Sequence, residues 1–148
     1  MKKGLFILLF FSSLVSEAQN PVSWKFTANK QKEGVYEIHM LATIQKGWHL
    51  YSQKQPENAI AIPTLFSINK NPLLIMKGKI REIGKLEIFK DKKLGLAANQ
   101  YSTQVDFIQI VSLKGKAKTN FMGNVEFQTC DDTKCLPPKI INFNVVLD

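Results

Sequence analysis

The feature that most constrains the fold is an alternation of apolar and polar residues with a period of two. In GVYEIHMLATI, residues 34–44, five apolar side chains alternate with mostly polar ones: Tyr36, Ile38, Met40, Ala42 and Ile44. Side chains two residues apart lie on the same face of a β-strand, so this face can enter a hydrophobic core. The pattern therefore predicts a half-buried strand and not a helix.

Five further short segments show the same alternation, separated by turns rich in Gly, Asn, Pro or Lys. They are TLFSIN, LEIF, QVDFIQIVSL, NVEFQTC and IINFNVVL. No stretch has the 3.6-residue period of a long amphipathic helix, although KLGLAANQY allows one helical turn between Leu94 and Tyr101. Seven or eight strands in one domain predict an all-β fold, a β-sandwich of antiparallel strands.

The first residues, MKKGLFILLFFSSLVSEAQN, have the pattern of a secretory signal. Two lysines precede the apolar run Leu5–Phe11, and small residues precede a cleavage point after Ala18. A membrane span needs about 18 to 20 apolar residues, and this run is shorter and is followed by two serines. We therefore predict a signal peptide over residues 1–18 and a single domain over residues 19–148, in an oxidising compartment where a disulfide persists.

The formal net charge of +8 raises the question of a nucleic-acid partner. The lysines are scattered between acidic residues, and export removes the usual nucleic-acid partners. We interpret the charge as solvated surface that favours anionic membranes or acidic partner faces. The 45% apolar composition is enough for one core, so the fold does not depend on a disulfide.

Both cysteines of the chain lie in QTCDDTKCLPPK, residues 128–139. A bridge between Cys130 and Cys135 closes a loop of six residues and stabilises by about 2 kcal/mol, against about 4 kcal/mol for a bridge across about 60 residues. A purely structural disulfide would thus gain more elsewhere, yet most cysteine pairs of secreted proteins are inert. The residues leave both interpretations open, a structural bridge or a redox pair. We interpret Asp131 and Asp132 as turn residues.

Two other cysteine chemistries fit poorly. A zinc site needs four ligands, and the histidines that could add to the cysteines, His39 and His49, are expected on distant strands. We predict no metal site. A thioredoxin-type site has the pattern Cys-x-x-Cys at the start of a helix, whereas here four residues separate the cysteines and Pro137-Pro138 prevents a helix after them. The pair suits attack by a partner's thiolate, or transfer of electrons once it is reduced.

Three segments resemble the N-terminal periplasmic domain of the thiol:disulfide interchange protein DsbD. They are GNVEFQTCDDTKCLPPKIINFNVVL, KGWHLYSQKQ at residues 46–55, and REIGKLEIFKDK. The first, with its two cysteines and double proline, is the most specific. The resemblance runs from about Trp24 to Leu147. It implies an immunoglobulin-like β-sandwich whose cysteine pair cycles between disulfide and dithiol. It further implies that Cys130 forms the mixed disulfide with the partner and that Cys135 resolves it.

The same resemblance implies supporting residues around the pair. Tyr51 matches a tyrosine of the family beside the cysteines, and its hydroxyl would hydrogen-bond near a sulfur. His49 stands where the family carries another tyrosine; it is either an ordinary surface histidine or a residue that makes thiol exchange sensitive to pH. Glu82 and Ile83 occupy the place of the family's cap loop, so Ile83 would shield the disulfide.

The family's partners complete the expectation. The resemblance implies a periplasmic protein-disulfide reductase component without a cofactor, which receives electrons from a membrane-embedded donor and reduces thioredoxin-like periplasmic proteins. Because the sequence continues into no transmembrane segment, we expect contact with the membrane only through partners encoded separately. The alternative function is a non-catalytic, secreted immunoglobulin-like binding module in which Cys130 and Cys135 form an inert disulfide.

Overall fold

The structure is a computed structural model that describes residues 20–59 and 61–148, so the predicted signal peptide lies outside the described residues. Within these ranges the chain forms eleven β-strands, and no helix there is long and apolar enough to span a bilayer. The strands are β1 (Val22–Lys32), β2 (Val35–Ile44), β3 (His49–Tyr51), β4 (Leu65–Ile68), β5 (Leu74–Gly84), β6 (Glu87–Asp91), β7 (Leu96–Tyr101), β8 (Gln104–Leu113), β9 (Thr119–Phe127), β10 (Thr129–Cys130) and β11 (Lys139–Leu147).

The strands form three antiparallel sheets. Two sheets have four strands each, in the orders β1-β2-β8-β5 and β10-β3-β7-β6, and the third has the order β11-β9-β4. Strand β11 contacts β1, so the first and third sheets adjoin. The predicted fold class, an immunoglobulin-like β-sandwich of antiparallel strands, is confirmed.

The alternating apolar residues of β2 are buried, as the sequence predicts. Strand β2 pairs with β1 on one side and β8 on the other, and its five apolar side chains are at most 6% exposed. They enter a core rich in aromatic rings. Phe107 on β8 lies at its centre, 5.0 Å from the ring of Phe66 and 5.8 Å from the ring of Trp24. Offset and tilted pairs at such distances add to the stability gained by burial.

The predicted helical turn before Tyr101 is wrong, because Leu96–Tyr101 form strand β7. Both faces of β7 are covered. Ala98 and Gln100 are buried on one face, and Ala97 and Tyr101 on the other. A strand buried on both faces shows no alternation of apolar and polar residues. The period-two signal was therefore absent at this place.

Strand β5 is the edge of the first sheet and carries a bulge. Its register with β8 shifts between Lys77 and Arg81, where Gly78 takes a φ of 70°. The chain then passes directly from β5 to β6, which belongs to the second sheet. Gly84 lies at this crossing, where a Cβ would meet the carbonyl oxygen of Gln104 at 2.9 Å. The same Cβ would lie 3.2 Å from two ring carbons of Tyr101 on β7, so the absence of a side chain at Gly84 permits this close contact between the two sheets.

The second sheet has a buried cluster on each face. Leu50 of β3 faces the main core, whereas the next residue, Tyr51, faces the other side. There it packs with Ala98 and Cys130 in a small separate cluster. We call this the disulfide cluster. The fold therefore places the first cysteine on a face that the main core does not occupy.

Candidate functional site

The two cysteines are joined in a disulfide at an edge of the second sheet. Strand β10 is only two residues long and pairs with β3, with Thr129 opposite Leu50 and Cys130 opposite His49. After the intervening loop the chain returns to β10, where the backbone N–H of Leu136 donates to the carbonyl oxygen of Thr129 at 2.8 Å. The disulfide thus closes a small loop, residues 130–135, which we call the cysteine loop.

The side chain of Asp131 organises the cysteine loop. Its Oδ1 accepts hydrogen bonds at 2.8 Å from the backbone N–H and the hydroxyl of Thr133, and from the backbone N–H of Lys134. The bonds from Thr133 hold the pKa of the Asp131 carboxyl below its usual value. The prediction of turn chemistry at this position is confirmed.

The two cysteines differ sharply in exposure. Cys130 is 3% exposed and packs against Tyr51 and Ala98. Cys135 is exposed, as are Pro137 and Pro138 after it. A disulfide reacts by attack of a thiolate on one of its sulfurs, and the rate depends on access to that sulfur. An incoming protein can therefore reach the Cys135 end of the bond much more readily than the Cys130 end.

Tyr51 packs beside the first cysteine in the disulfide cluster. The residue is 1% exposed, and burial raises the pKa of its phenol. Its backbone carbonyl accepts a hydrogen bond from the hydroxyl of Thr64 at 2.5 Å. Tyr51 thus presents a neutral, firmly held ring to Cys130.

His49 is the direct cross-strand partner of Cys130. Its Nδ1 lies 3.0 Å from Oγ of Ser102 and 3.1 Å from the side-chain nitrogen of Gln100. Its Nε2 lies 3.5 Å from Oδ1 of Asp132 in the cysteine loop. The imidazole therefore bridges the second sheet and the loop that carries the disulfide.

Glu82 and Ile83 do not join this group, since the Glu82 carboxylate is bonded to other residues and Ile83 is not part of the disulfide cluster. Glu82 turns inward and accepts hydrogen bonds from four donors of the loop after β3 and of β7: the Ser52 hydroxyl, the backbone N–H and side-chain amide of Gln53, and the Tyr101 hydroxyl. Burial, followed by the bond to Glu82 and its charge, raises the pKa of Tyr101. Ile83 points to the opposite face of β5 and is 54% exposed.

Sequence reasoning missed the polar residues behind His49. Gln100 lies on β7 and Ser102 directly follows that strand. Glu87 of β6 accepts a hydrogen bond from the Ser102 hydroxyl at 2.5 Å. These contacts depend on the register of three strands, which alternation alone does not fix. Glu87 does fall within REIGKLEIFKDK, one of the segments that carried the resemblance.

No group of three or more His, Cys, Asp or Glu side chains in residues 20–59 and 61–148 is arranged to hold a metal ion. The site contains sulfur, imidazole, hydroxyl and carboxylate groups at one sheet edge. These groups suit thiol chemistry coupled to proton transfer.

Comparisons with solved structures find domains of similar fold. The N-terminal periplasmic domain of ScsB from Proteus mirabilis superposes with a TM-score of 0.58 at 16% identity, over 91% of this chain and 49% of that one. The chain thus spans about half the length of that protein. A complex between the DsbD N-terminal and PilB N-terminal domains from Neisseria meningitidis gives a TM-score of 0.50 at 14% identity, over 86% of this chain and 87% of that one. The reduced DsbD N-terminal domain from the same organism gives 0.49 at 16% identity, over 72% and 74%.

The similarities to the ScsB domain and to the DsbD–PilB complex establish the fold alone. A search of curated proteins finds no match. The family described as "Thiol:disulfide interchange protein DsbD, N-terminal" matches residues 14–146, almost the whole sequence. That match covers both cysteines, Tyr51 and His49, so the chain belongs to the family of DsbD N-terminal domains.

Proposed function

We propose that this domain passes electrons between periplasmic proteins through the disulfide and dithiol forms of Cys130 and Cys135. It would act as the thiol:disulfide oxidoreductase component of a protein-disulfide reductase system. The observation that carries the proposal is the asymmetry of the bond, which has one buried and one exposed cysteine at a sheet edge. An inert clip gains nothing from presenting one half of the bond to solvent.

The exposures favour the reverse of the cysteine roles that the resemblance implies. We propose that Cys135 forms the mixed disulfide with the partner, because it is exposed. Cys130 is then the leaving group and the resolving cysteine, since it is 3% exposed and lies behind Cys135. A partner's thiolate attacks the sulfur of Cys135, the bond to Cys130 breaks, and its electron pair passes to the sulfur of Cys130.

The cysteine loop supports rapid closure of the bond after each cycle. Its two ends are joined by the hydrogen bond from Leu136 to Thr129, and its turn by the bond from the Asp131 N–H to the carbonyl of Lys134 at 2.9 Å. These bonds do not involve sulfur, so they persist in the dithiol form. Holding two reacting groups together in this way replaces a bimolecular step by a unimolecular one.

Tyr51 supports the leaving group. Its ring covers Cys130 from within the disulfide cluster, and its raised pKa keeps the phenol neutral at physiological pH. A neutral ring excludes water and places no negative charge beside a developing thiolate. We propose that Tyr51 shapes the pocket of Cys130 and takes no part in electron transfer.

We propose thioredoxin-like periplasmic proteins as partners, with a membrane-embedded protein as electron donor. The solved complex of a DsbD N-terminal domain with a PilB N-terminal domain supports a protein partner. The periplasmic domain of ScsB supports the compartment. The exposed double proline after Cys135 gives such a partner a rigid surface beside the reactive bond.

A redox titration tests the function. The folded protein is equilibrated with glutathione buffers, free thiols are alkylated, and the mass reports the fraction reduced. Exchange requires a midpoint well above about −300 mV with the fold intact. A pair that stays oxidised until the protein unfolds would instead identify the secreted binding module with an inert disulfide.

Single-cysteine variants test the roles. We expect Cys130→Ala to form a mixed disulfide with oxidised glutathione at least tenfold faster than Cys135→Ala, because only the first variant keeps the exposed thiol. Thermal unfolding of both variants provides the control for folding. The opposite order of rates would restore the roles implied by the resemblance.

A further inference from the structure

A continuous line of polar side chains runs behind the disulfide. It begins at Asp132 in the cysteine loop, 3.5 Å from Nε2 of His49. From Nδ1 of His49 it continues 3.0 Å to the hydroxyl oxygen of Ser102, which donates its proton over 2.5 Å to Glu87 on β6. Residues on β3, after β7 and on β6 thus hold the imidazole of His49 against the cysteine loop.

The hydrogen bonds among these side chains determine which nitrogen of His49 exchanges protons. An ionised carboxylate only accepts hydrogen bonds, so the Ser102 hydroxyl points its proton at Glu87. The Ser102 oxygen therefore turns a lone pair toward Nδ1, and Nδ1 carries hydrogen. The side-chain amide nitrogen of Gln100 lies 3.1 Å from Nδ1. Rotation of this amide by 180° exchanges the positions of its nitrogen and oxygen, so that the oxygen accepts the same hydrogen. Nε2 remains as the nitrogen that gains and loses a proton.

Nε2 is directed toward the cysteine loop, as its contact with Asp132 shows. Cys130 is the direct cross-strand partner of His49, and the Cβ atoms of such pairs lie about 4.5 to 5.5 Å apart on the same face. The titratable groups around the imidazole are Asp132 from the loop, Glu87 through Ser102, and Tyr51 on the same face of β3. His49 itself is only 20% exposed.

Reduction of the disulfide generates a negative charge on the sulfur of Cys130. When the bond breaks, Cys130 becomes a thiolate at a residue that is 3% exposed. An ionised group in such a place costs free energy unless it is protonated or paired. Among the described residues on this face, His49 is the cross-strand neighbour of Cys130, and its side chain can both donate and accept a proton.

We propose that His49 is the proton donor and acceptor for Cys130, and that Ser102 and Glu87 are positioning residues that fix its tautomer. This inference rests on the exchange function proposed above. As a partner's thiolate bonds to the sulfur of Cys135, the Cys130 sulfur leaves with the electron pair and takes the proton from Nε2 of the imidazolium. In the reverse direction neutral Nε2 removes the Cys130 proton, the resulting thiolate attacks the Cys135 sulfur, and the partner leaves as a thiolate.

Single-turnover reduction by 2-mercaptoethanol tests the proposal. The oxidised protein is mixed with the thiol between pH 5.5 and 8.5, quenched with acid and alkylated, and the rate is divided by the concentration of reagent thiolate. For the wild type we expect this corrected rate to fall as pH rises, because the imidazolium is lost. For His49→Gln we expect a pH-independent rate, at least tenfold below wild type at pH 6.

The other histidine provides a matched control. His39 on β2 is also partly buried and bonded to a carboxylate, with Nδ1 2.7 Å from Asp106, but it lies on the first sheet. His39→Gln should keep the wild-type pH profile. Ser102→Ala retains the imidazole but removes the acceptor of its Nδ1 hydrogen, so the ring is oriented less firmly and the rate at pH 6 should fall several-fold. A wild-type profile in His49→Gln, or an equal loss in His39→Gln, overturns the proposal.

The same experiment separates this inference from the proposed function. If the folded wild type resists reduction at every pH, the exchange function fails and this inference fails with it. If the wild type is reduced readily and His49→Gln behaves identically, the exchange function stands and only the role of His49 is overturned.

Discussion

The two faces of the second sheet differ: one face packs into the main core, and the other carries the disulfide cluster. On one face, Leu50 and Tyr101 belong to the main core with its many aromatic rings. On the other face, three buried residues, Tyr51, Ala98 and Cys130, form the disulfide cluster. Consecutive side chains of β3 point to opposite faces, so Leu50 lies in the main core and Tyr51 lies in the disulfide cluster. The disulfide therefore lies outside the main core of the domain.

The largest expected effect comes from breaking the main core. Phe107→Ala removes a ring that is 0% exposed and packs against the rings of Trp24 and Phe66. We expect the free energy of unfolding in denaturant to fall by about 3 to 5 kcal/mol, from lost burial and the cavity left behind. Ile83→Ala on the neighbouring exposed position should change it by less than about 0.5 kcal/mol. A loss below about 1 kcal/mol for Phe107→Ala would contradict the assignment of stability to the main core.

A smaller effect is expected from removing the disulfide. In the variant with Ala at both Cys130 and Cys135, the free energy of unfolding should fall by about 2 kcal/mol, the value for closure of a six-residue loop. Exchange with glutathione should be lost completely. Chemical reduction of the wild type, measured by the same denaturant titration, provides the control. A loss as large as that of Phe107→Ala would mean that the bond is structural.

The smallest effect concerns the turn of the cysteine loop. Because the folded protein lowers the pKa of Asp131 below its ordinary value of 3.8, its hydrogen bonds stabilise the turn fully above pH 3.8 and are lost as pH falls through the lowered value. We expect the amide NMR signals of Thr133 and Lys134 to shift together in that acid range. In Asp131→Asn the acceptor is retained without a titrating group, so the shift should disappear; its persistence would contradict this assignment.

The sequence predicts those strands that have one buried face. Strands β2 and β11 alternate clearly because the buried side chains of each strand lie on one face. Strand β7 was mistaken for a possible helical turn because side chains are buried on both its faces. Strand β5 was missed because lysines and a bulge interrupt it at the sheet edge. In each case tertiary position, which the local pattern does not contain, decided the outcome.

The site was predictable to the extent that it lies in one segment. The cysteine pair and its Asp131 turn are contiguous, and the resemblance placed Tyr51 and His49 beside them. The support of His49 by Ser102 and Glu87 arises only when β3, β7 and β6 pair in their observed register. Glu82 turned inward because four donors surround its carboxylate, a contact that depends on the crossing of β5 between sheets.

The bulge in β5 has a consequence for how the domain behaves among other proteins. A long, regular edge strand offers unpaired backbone groups to any neighbouring chain and favours aggregation. In β5 the register shift between Lys77 and Arg81, together with the charges of Lys77 and Lys79, interrupts that row of backbone donors and acceptors. The edge is thereby protected against indiscriminate strand pairing, while the short β10, only two residues long, leaves little backbone to pair beside the disulfide.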